Sequence, residues 1–227
     1  MTVIAVAAHP DDVELLCAGT LARLSEAGHQ VRLAHLTYGD KGGRADPEAL
    51  AATREREAKA AAALIGATTN GRICGDLELY PSAESAQQVA DLIAGEDIEA
   101  VLTHHPDDYH PDHRITSQLV LNAARQQLLL PRVWFMDSVG GAHFVPTHFV
   151  DVTGTIETKK RMLRCHQSQV AWMTTARHAD MEYMIEWTGR WRGLQAGAGY
   201  AEGFAPAVPS AGWLTSEVAA IPADQHT

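Results

Sequence analysis

The chain predicts an α/β fold with a mostly parallel sheet and helices on both faces, and three observations carry that reading. Short apolar, partly β-branched runs recur at Val3–Ala8, Gln30–Thr37, Ile98–Thr103 and Val133–Met136. Segments of helical length and spacing lie between them, and glycine or charged loops separate the two kinds. Strands that alternate with helices need crossover connections, which make the sheet parallel and cover both its faces. At 227 residues the chain fits one such domain with a sizeable core.

Val3–Ala8 is short and apolar enough for a buried strand. A helix is expected over Val13–Ala27, with Pro10 and the acidic pair Asp11–Asp12 at its start and Gly28 at its end. Proline loses nothing in a first turn, and carboxylates there meet the positive end of the helix dipole. Gln30–Thr37 reads as the second strand, followed by a glycine-rich charged loop, Tyr38–Arg44. Pro47–Ile65 reads as an Ala/Glu/Arg-rich helix stopped by Gly66, Arg72–Cys74 as a short strand and Ser82–Ala94 as a helix. Ile98–Thr103 is a buried strand that runs into a histidine cluster, with a helix over about Asp112–Gln127 beyond it. Val133–Met136 and Phe149–Val152 are the remaining strands and Ile156–His166 the next helix. The pattern weakens from Val170, apart from a helix over Glu182–Leu194. Residues 1–205 form the expected domain and 206–227, with Pro206, Pro209 and Pro222, an irregular tail.

The formal net charge of −10 argues against nucleic acid or an anionic membrane as partner. No segment approaches the ~20 apolar residues of a membrane span. A strand beginning at Val3 leaves no room for a signal peptide, so a cytoplasmic protein is expected. Cys17, Cys74 and Cys165 are odd in number and lack CxxC spacing, which fits free thiols better than a disulfide framework or a cysteine zinc site.

Chemistry concentrates in two places. His9-Pro10-Asp11-Asp12-Val13-Glu14 puts an imidazole and three carboxylates behind the first strand, and twelve histidines is a high count for this length. His104, His105, His110 and His113 fall within ten residues behind another strand. Both clusters therefore lie at the carboxyl ends of strands, where open α/β sheets bind ligands. Imidazole and carboxylate together suit Zn²⁺, with Fe²⁺, Mn²⁺ or Co²⁺ as substitutes. A catalytic zinc takes three protein ligands and keeps one position for water.

His9-Pro10-Asp11-Asp12-x-Glu14, followed about a hundred residues on by His110-Pro111-Asp112-His113, resembles the LmbE-like/PIG-L family of metal-dependent N-deacetylases. Ala18-Gly19-Thr20, Arg54-x-x-Glu57-Ala58, Asp151-Val152 leading to Lys159, His166-x-Ser168-Gln169 and Tyr200-Ala201-Glu202-x-Phe204 support it over about residues 1–205. The resemblance implies a Rossmann-like fold, zinc, and removal of an acyl group from an N-acetylated amino sugar or related amide. By motif position it implies His9, Asp12 and His113 as metal ligands and Asp11 as general base, later the acid toward the leaving amine. His110 would stabilise the oxyanion as an imidazolium oriented by Asp112, and Arg54 would bind substrate. Tyr109 is a further candidate for the pocket lining. The partner implied is a small amino-sugar or amide substrate, and the resemblance is compatible with a homo-oligomer.

Each residue also has a plainer role open to it. Asp11 can cap a helix, Glu14 can act behind the ligands or at the helix terminus, and His104 and His105 can be strand-end residues. His105-Pro106-Asp107-Asp108 repeats the opening motif and offers an alternative site through His105 or Asp108. Arg54 can be a solvated charge; His166, Trp187 and Trp191 can be packing. Two histidines and a carboxylate also describe non-haem Fe(II) oxygenases, and a non-catalytic sugar- or amide-binding protein is the third alternative.

Overall fold

The structure, a computed structural model, describes residues 1–94, 98–127 and 131–207. In chain order the elements are β1 (Thr2–Ala7), α1 (Asp12–Leu16), α2 (Ala18–Glu26), β2 (Gln30–Thr37), α3 (Pro47–Ala63), β3 (Thr68–Cys74), α4 (Ala83–Leu92) and β4 (Ile98–Thr103). They continue with α5 (Pro111–Ala124), β5 (Arg132–Met136), a 3₁₀ turn (Val139–Gly141), β6 (His148–Asp151), α6 (Ile156–Cys165), α7 (Gln167–Arg177), α8 (Met181–Ala196) and β7 (Ala201–Pro206).

The sheet order is β3-β2-β1-β4-β5-β7-β6. The first five strands run parallel, and β7 is antiparallel to both β5 and β6. Every side chain of β1 is buried: Val3, Ala5 and Ala7 pack into one core and Ile4 and Val6 into the other. A strand buried on both faces reads as a continuous apolar run because helices cover both sides. β1 lies between β2 and β4, so the chain leaves it toward one side of the sheet and returns on the other. That reversal opens a crevice at the carboxyl ends of β1 and β4, and both charged clusters fall there.

Three elements depart from the sequence reading. The expected single helix over Val13–Ala27 is two, broken at Cys17 (φ −145°, ψ 6°). Glu202 supplies the reason: its carboxylate accepts from the amides of Gly19 (2.9 Å) and Thr20 (2.7 Å) and so forms a new helix start. A Cβ on Gly19 would lie 2.9 Å from Val152 Cβ and 3.0 Å from that carboxylate. The second departure is α7, which buries none of its side chains and so gives no core-facing periodicity to read. The third is β7, which inserts between β5 and β6 and carries the chain in sheet as far as Pro206. The rest of the expected irregular tail, 208–227, lies outside the described residues. Cys17 is buried, Cys74 and Cys165 are half-buried, and all three are free thiols. Among the described residues no helix is long and apolar enough to cross a membrane.

Candidate metal and active site

Residues behind β1 and at the start of α5 meet across the crevice. His9 Nδ1 lies 3.2 Å from Asp12 Oδ2, His113 Nε2 lies 3.2 Å from Asp12 Oδ1, and the two ring nitrogens lie 3.3 Å apart. Donors bound at 2.0–2.1 Å in a tetrahedron are separated by about 3.3 Å. The two rings stand at that spacing, and Asp12 offers each of them a different oxygen. With one donor atom per residue, the groups gathered closely enough for an ion among the described residues are His9, His110 and His113, and Asp12, His104 and His113. His110 belongs to the same group of ring nitrogens as His9 and His113.

The far side of each imidazole is held by a carboxylate. Asp112 Oδ2 lies 3.1 Å from His9 Nε2, and Asp108 Oδ1 lies 3.0 Å from His113 Nδ1. Such partners select the tautomer that aims a lone pair inward and make the ring a better donor to a metal. His104 stacks on His113 with ring centres 3.8 Å apart, and its Nε2 accepts the Ala8 amide at 3.0 Å. The same nitrogen lies 3.3 Å from Asp12 Oδ2, so Asp12, His104 and His113 form a second candidate donor group, competing with the Ala8 amide for that lone pair.

The charges agree with this geometry. Burial alone would lower the His9 pKa, but Asp12 and Asp112 outweigh it and raise it to about 10. Burial likewise opposes charge on His113, while Asp12 and Asp108 raise it to about 9. Asp12 resists its own burial because His113 and His9 hold its carboxyl well below the usual range. A field that holds protons so firmly on imidazoles is one that favours a cation between them.

Asp11 stands apart from this set. It precedes α1 with φ 116°, a conformation seldom adopted by a residue with a side chain, and its carboxylate makes no helix-capping bond. It bonds instead to Arg54, whose Nη2 lies 2.8 Å from Asp11 Oδ1 and also donates to the Pro10 carbonyl. Arg54 Nη1 donates to the Gly39 carbonyl at 3.2 Å. Burial raises the Asp11 pKa to about 6, with Arg54 limiting the rise. The glycine-rich loop wraps this guanidinium closely: a Cβ on Gly39 or Gly42 would come within 2.7 Å of Arg54.

Two expected roles look different in three dimensions. Arg54, a candidate substrate ligand, is only 2% exposed and its donors are turned to Asp11 and backbone carbonyls. Asp112, expected to orient His110, places its carboxylate on His9 and on the Leu77 amide (2.8 Å), 4.0 Å from His110 Nδ1. Its backbone does the orienting, since the Asp112 amide donates to His110 Nδ1 at 3.2 Å. The Asp112 amide contact favours a neutral His110 with its proton on Nε2 over the expected imidazolium. Burial and the neighbouring His9 and His113 lower its pKa in the same sense.

The supporting motifs also find partners. Glu57 accepts from the Ser168 amide (2.8 Å) and hydroxyl (2.6 Å), tying α3 to the start of α7. Lys159 lies 2.5 Å from Glu202, and Glu14 pairs with His166 at 3.2 Å where both are fully buried. His105 turns away to pack edge-on against Phe135 and Phe144. Tyr109 is 55% exposed and lines the cavity. Trp187 and Trp191 are about half exposed on α8 and form no core.

The cavity in front of the donor set measures about 580 Å³. Asp11, Arg54, Tyr109 and His110 line it together with side chains that sequence reasoning missed, among them Asp76, Trp172 and Met173. Asp76 accepts the amides of Gly39 (2.8 Å) and Lys41 (3.1 Å), a loop contact with no local sequence signal.

The profile of the PIG-L family, GlcNAc-PI de-N-acetylase, matches residues 4–124. The chain is 30% identical over 186 residues to the diacetylchitobiose deacetylase of Thermococcus kodakarensis, covering 74% of this chain and 69% of that one. The solved N,N'-diacetylchitobiose deacetylase of Pyrococcus horikoshii superposes with a TM-score of 0.80 at 25% identity, over 90% of this chain and 83% of that one. GalB, the 4-carboxy-2-hydroxymuconate hydratase of Pseudomonas putida, also superposes at 0.80, with 22% identity over 92% of this chain and 97% of that one. At that identity the likeness is one of fold, and the fold alone does not choose the reaction.

Proposed function

The chain belongs to the PIG-L family of N-deacetylases, and on that premise we propose that it removes an N-acyl group, most simply N-acetyl, from an amino-sugar derivative by metal-assisted attack of water. The observation that carries this reading is the pairing of two arrangements: the His9 and His113 ring nitrogens 3.3 Å apart with a different oxygen of Asp12 3.2 Å from each, and beside them a buried carboxylate held outside the donor set by Arg54.

His9, Asp12 and His113 would hold the ion, Zn²⁺ or in its place Fe²⁺, Mn²⁺ or Co²⁺. When bound, such an ion lowers the pKa of water and polarises the scissile carbonyl. Asp11, with its pKa near 6, is ionised at neutral pH yet basic enough to accept the proton from the attacking water. It then returns that proton to the departing amine nitrogen. His110 Nε2–H donates to the carbonyl oxygen as negative charge grows there, a role suited to a neutral imidazole whose other nitrogen is fixed by the Asp112 amide.

The test is amine release from N-acetylglucosamine derivatives by the metal-loaded protein, with and without oxygen. Anaerobic release that disappears in Asp11→Asn, with metal content retained, is the expected result. A requirement for oxygen, or full activity in Asp11→Asn, would overturn the reading. Release only from a non-sugar N-acyl amide would keep the chemistry and move the substrate.

A further inference from the structure

The cavity has two unlike walls. One carries His9, Asp12, His110 and His113; the other comes from α7 and α8 and presents Trp172, Met173, Met181, Met184 and Arg177. A helix in a globular domain is ordinarily held by an apolar stripe in the core. Yet α7 has no fully buried side chain over eleven residues: Val170 and Met173 pack partly buried against Ile156, Leu163, Met181 and Ile185, and Trp172 and Met173 line the cavity. Three of the chain's six methionines line this wall. Their unbranched thioethers adapt to apolar groups of varied shape.

Charge adds a second, independent observation. The chain carries a net charge of −10, and of the cations that line the cavity Lys41 pairs with Glu78 at 2.7 Å and Arg54 with Asp11 at 2.8 Å. Among the described residues, however, no carboxylate lies within the 4.0 Å ion-pair distance of Arg177 or Arg44. Arg177 lines the cavity, and the Arg44 guanidinium stands 5.9 Å from the centre of the Trp172 ring. On an acidic protein, unpaired cations beside an apolar wall create a local site for an anion that the overall field would repel.

We propose that the α7–α8 wall is the recognition subsite for the part of the substrate remote from the N-acyl group, and that this part is an apolar segment bearing a carboxylate or phosphate. Trp172, Met173 and Met184 receive the apolar segment, with the buried Met181 behind them, and Arg177 pairs with the anion. The proposal rests on the deacetylase reading above and names the kind of conjugate it acts on.

Three N-acetylglucosaminides test it with the metal-loaded full chain: one with a neutral alkyl aglycone, one with the same alkyl group ending in a carboxylate, one with it ending in a phosphate. At least one charged glycoside is expected to exceed the neutral one about tenfold in kcat/KM, through KM. The gap should narrow as ionic strength rises from about 0.05 M to about 0.5 M. Whichever anion is preferred identifies the source. Arg177→Gln should bring the charged-to-neutral ratio toward one, Arg177→Lys should retain part of it, and Trp172→Ala should raise KM for all three. Equal rates for neutral and charged glycosides, or an unchanged ratio in Arg177→Gln, would overturn the proposal while amine release upheld the deacetylase reading. If none of the three releases amine, titration calorimetry of the same glycosides still reads the subsite. Preferential binding of a charged one upholds it without the chemistry, and equal binding rejects it.

Discussion

Arg54 Nη2 lies 2.8 Å from Asp11 Oδ1, and this contact joins the middle of α3 to the residue that leads into α1. Both groups are buried, and Asp11 holds a backbone conformation (φ 116°) that a side-chain-bearing residue rarely adopts. In the proposed mechanism Arg54 therefore positions the base from behind. Arg54→Lys keeps the charge but loses the two-pronged grip on Pro10 and Asp11. The expected result is a kcat reduced by about tenfold or more at nearly constant KM. A substrate ligand would raise KM instead, so steady-state kinetics separates the two roles. Arg54→Ala leaves Asp11 buried and unpaired, and denaturant unfolding should register a loss of about 3–5 kcal/mol.

The base sets the acid side of the pH profile. Burial raises Asp11 to about 6, so the ionised, proton-accepting form grows as pH rises through that value. Hydrolysis measured as kcat/KM should climb tenfold per pH unit below about 6 and level off above it. A profile flat between pH 5 and 7 would contradict Asp11 as the base.

Metal affinity should depend on residues that do not touch the ion. Asp108→Asn and Asp112→Asn each remove a carboxylate from the far nitrogen of an imidazole, His113 and His9 respectively. Competition against a chelator should show affinity falling about 10–100-fold in each, whereas His113→Ala abolishes stoichiometric binding. Unchanged affinity in both asparagine variants would remove the carboxylates from the ligand system.

Metal loading should also release protons. His9 and His113 are raised to about 10 and about 9, so both rings still carry protons at pH 8 and must lose them to coordinate. Titration calorimetry in two buffers of different ionisation enthalpy measures the number released. The same shifts fix the sign for the metal-free protein: their stabilisation is complete below pH 6.5 and is lost as pH rises through about 9–10.

The Lys159–Glu202 pair makes a prediction about folding alone. Glu202 joins Lys159 on α6 to the first turn of α2, with all partners buried. Glu202→Gln strands the Lys159 ammonium and should cost about 3–5 kcal/mol in urea unfolding. Metal stoichiometry of the folded fraction should be unaltered.

The strands of the parallel sheet were legible because a strand buried on both faces must be largely apolar: β1 is so from Val3 to Ala7, and β2 and β4 carry Val31, Leu33, Ala34 and Leu36 and Val101 and Leu102 in the core. The two chemical clusters were legible for the converse reason: charge placed directly behind such strands serves no core. The break at Cys17 and the strand at Ala201 were not, because both depend on Glu202, 182 residues from Thr20 in sequence. His104 read as a strand-end residue and Asp108 as part of a repeated motif that offered an alternative site, since nothing local says that one stacks on His113 and the other grips its far nitrogen. The α7 wall was hidden in the same way, as Trp172 lines a cavity and Val170 and Met173 are only partly buried against the core.

Sequence by itself determined the fold class, the carboxyl edge on which the chemistry lies, and the residue types able to hold a cation and move a proton. These depend on local patterning and on motif order along the chain. Tertiary structure alone decided which carboxylate serves which imidazole, that Arg54 faces Asp11 and not the solvent, that the Asp112 amide faces His110 Nδ1, and what stands opposite the donor set. Those are distances between groups far apart in the chain. They are settled only when β1 and β4 lie side by side and bring the two clusters into one crevice.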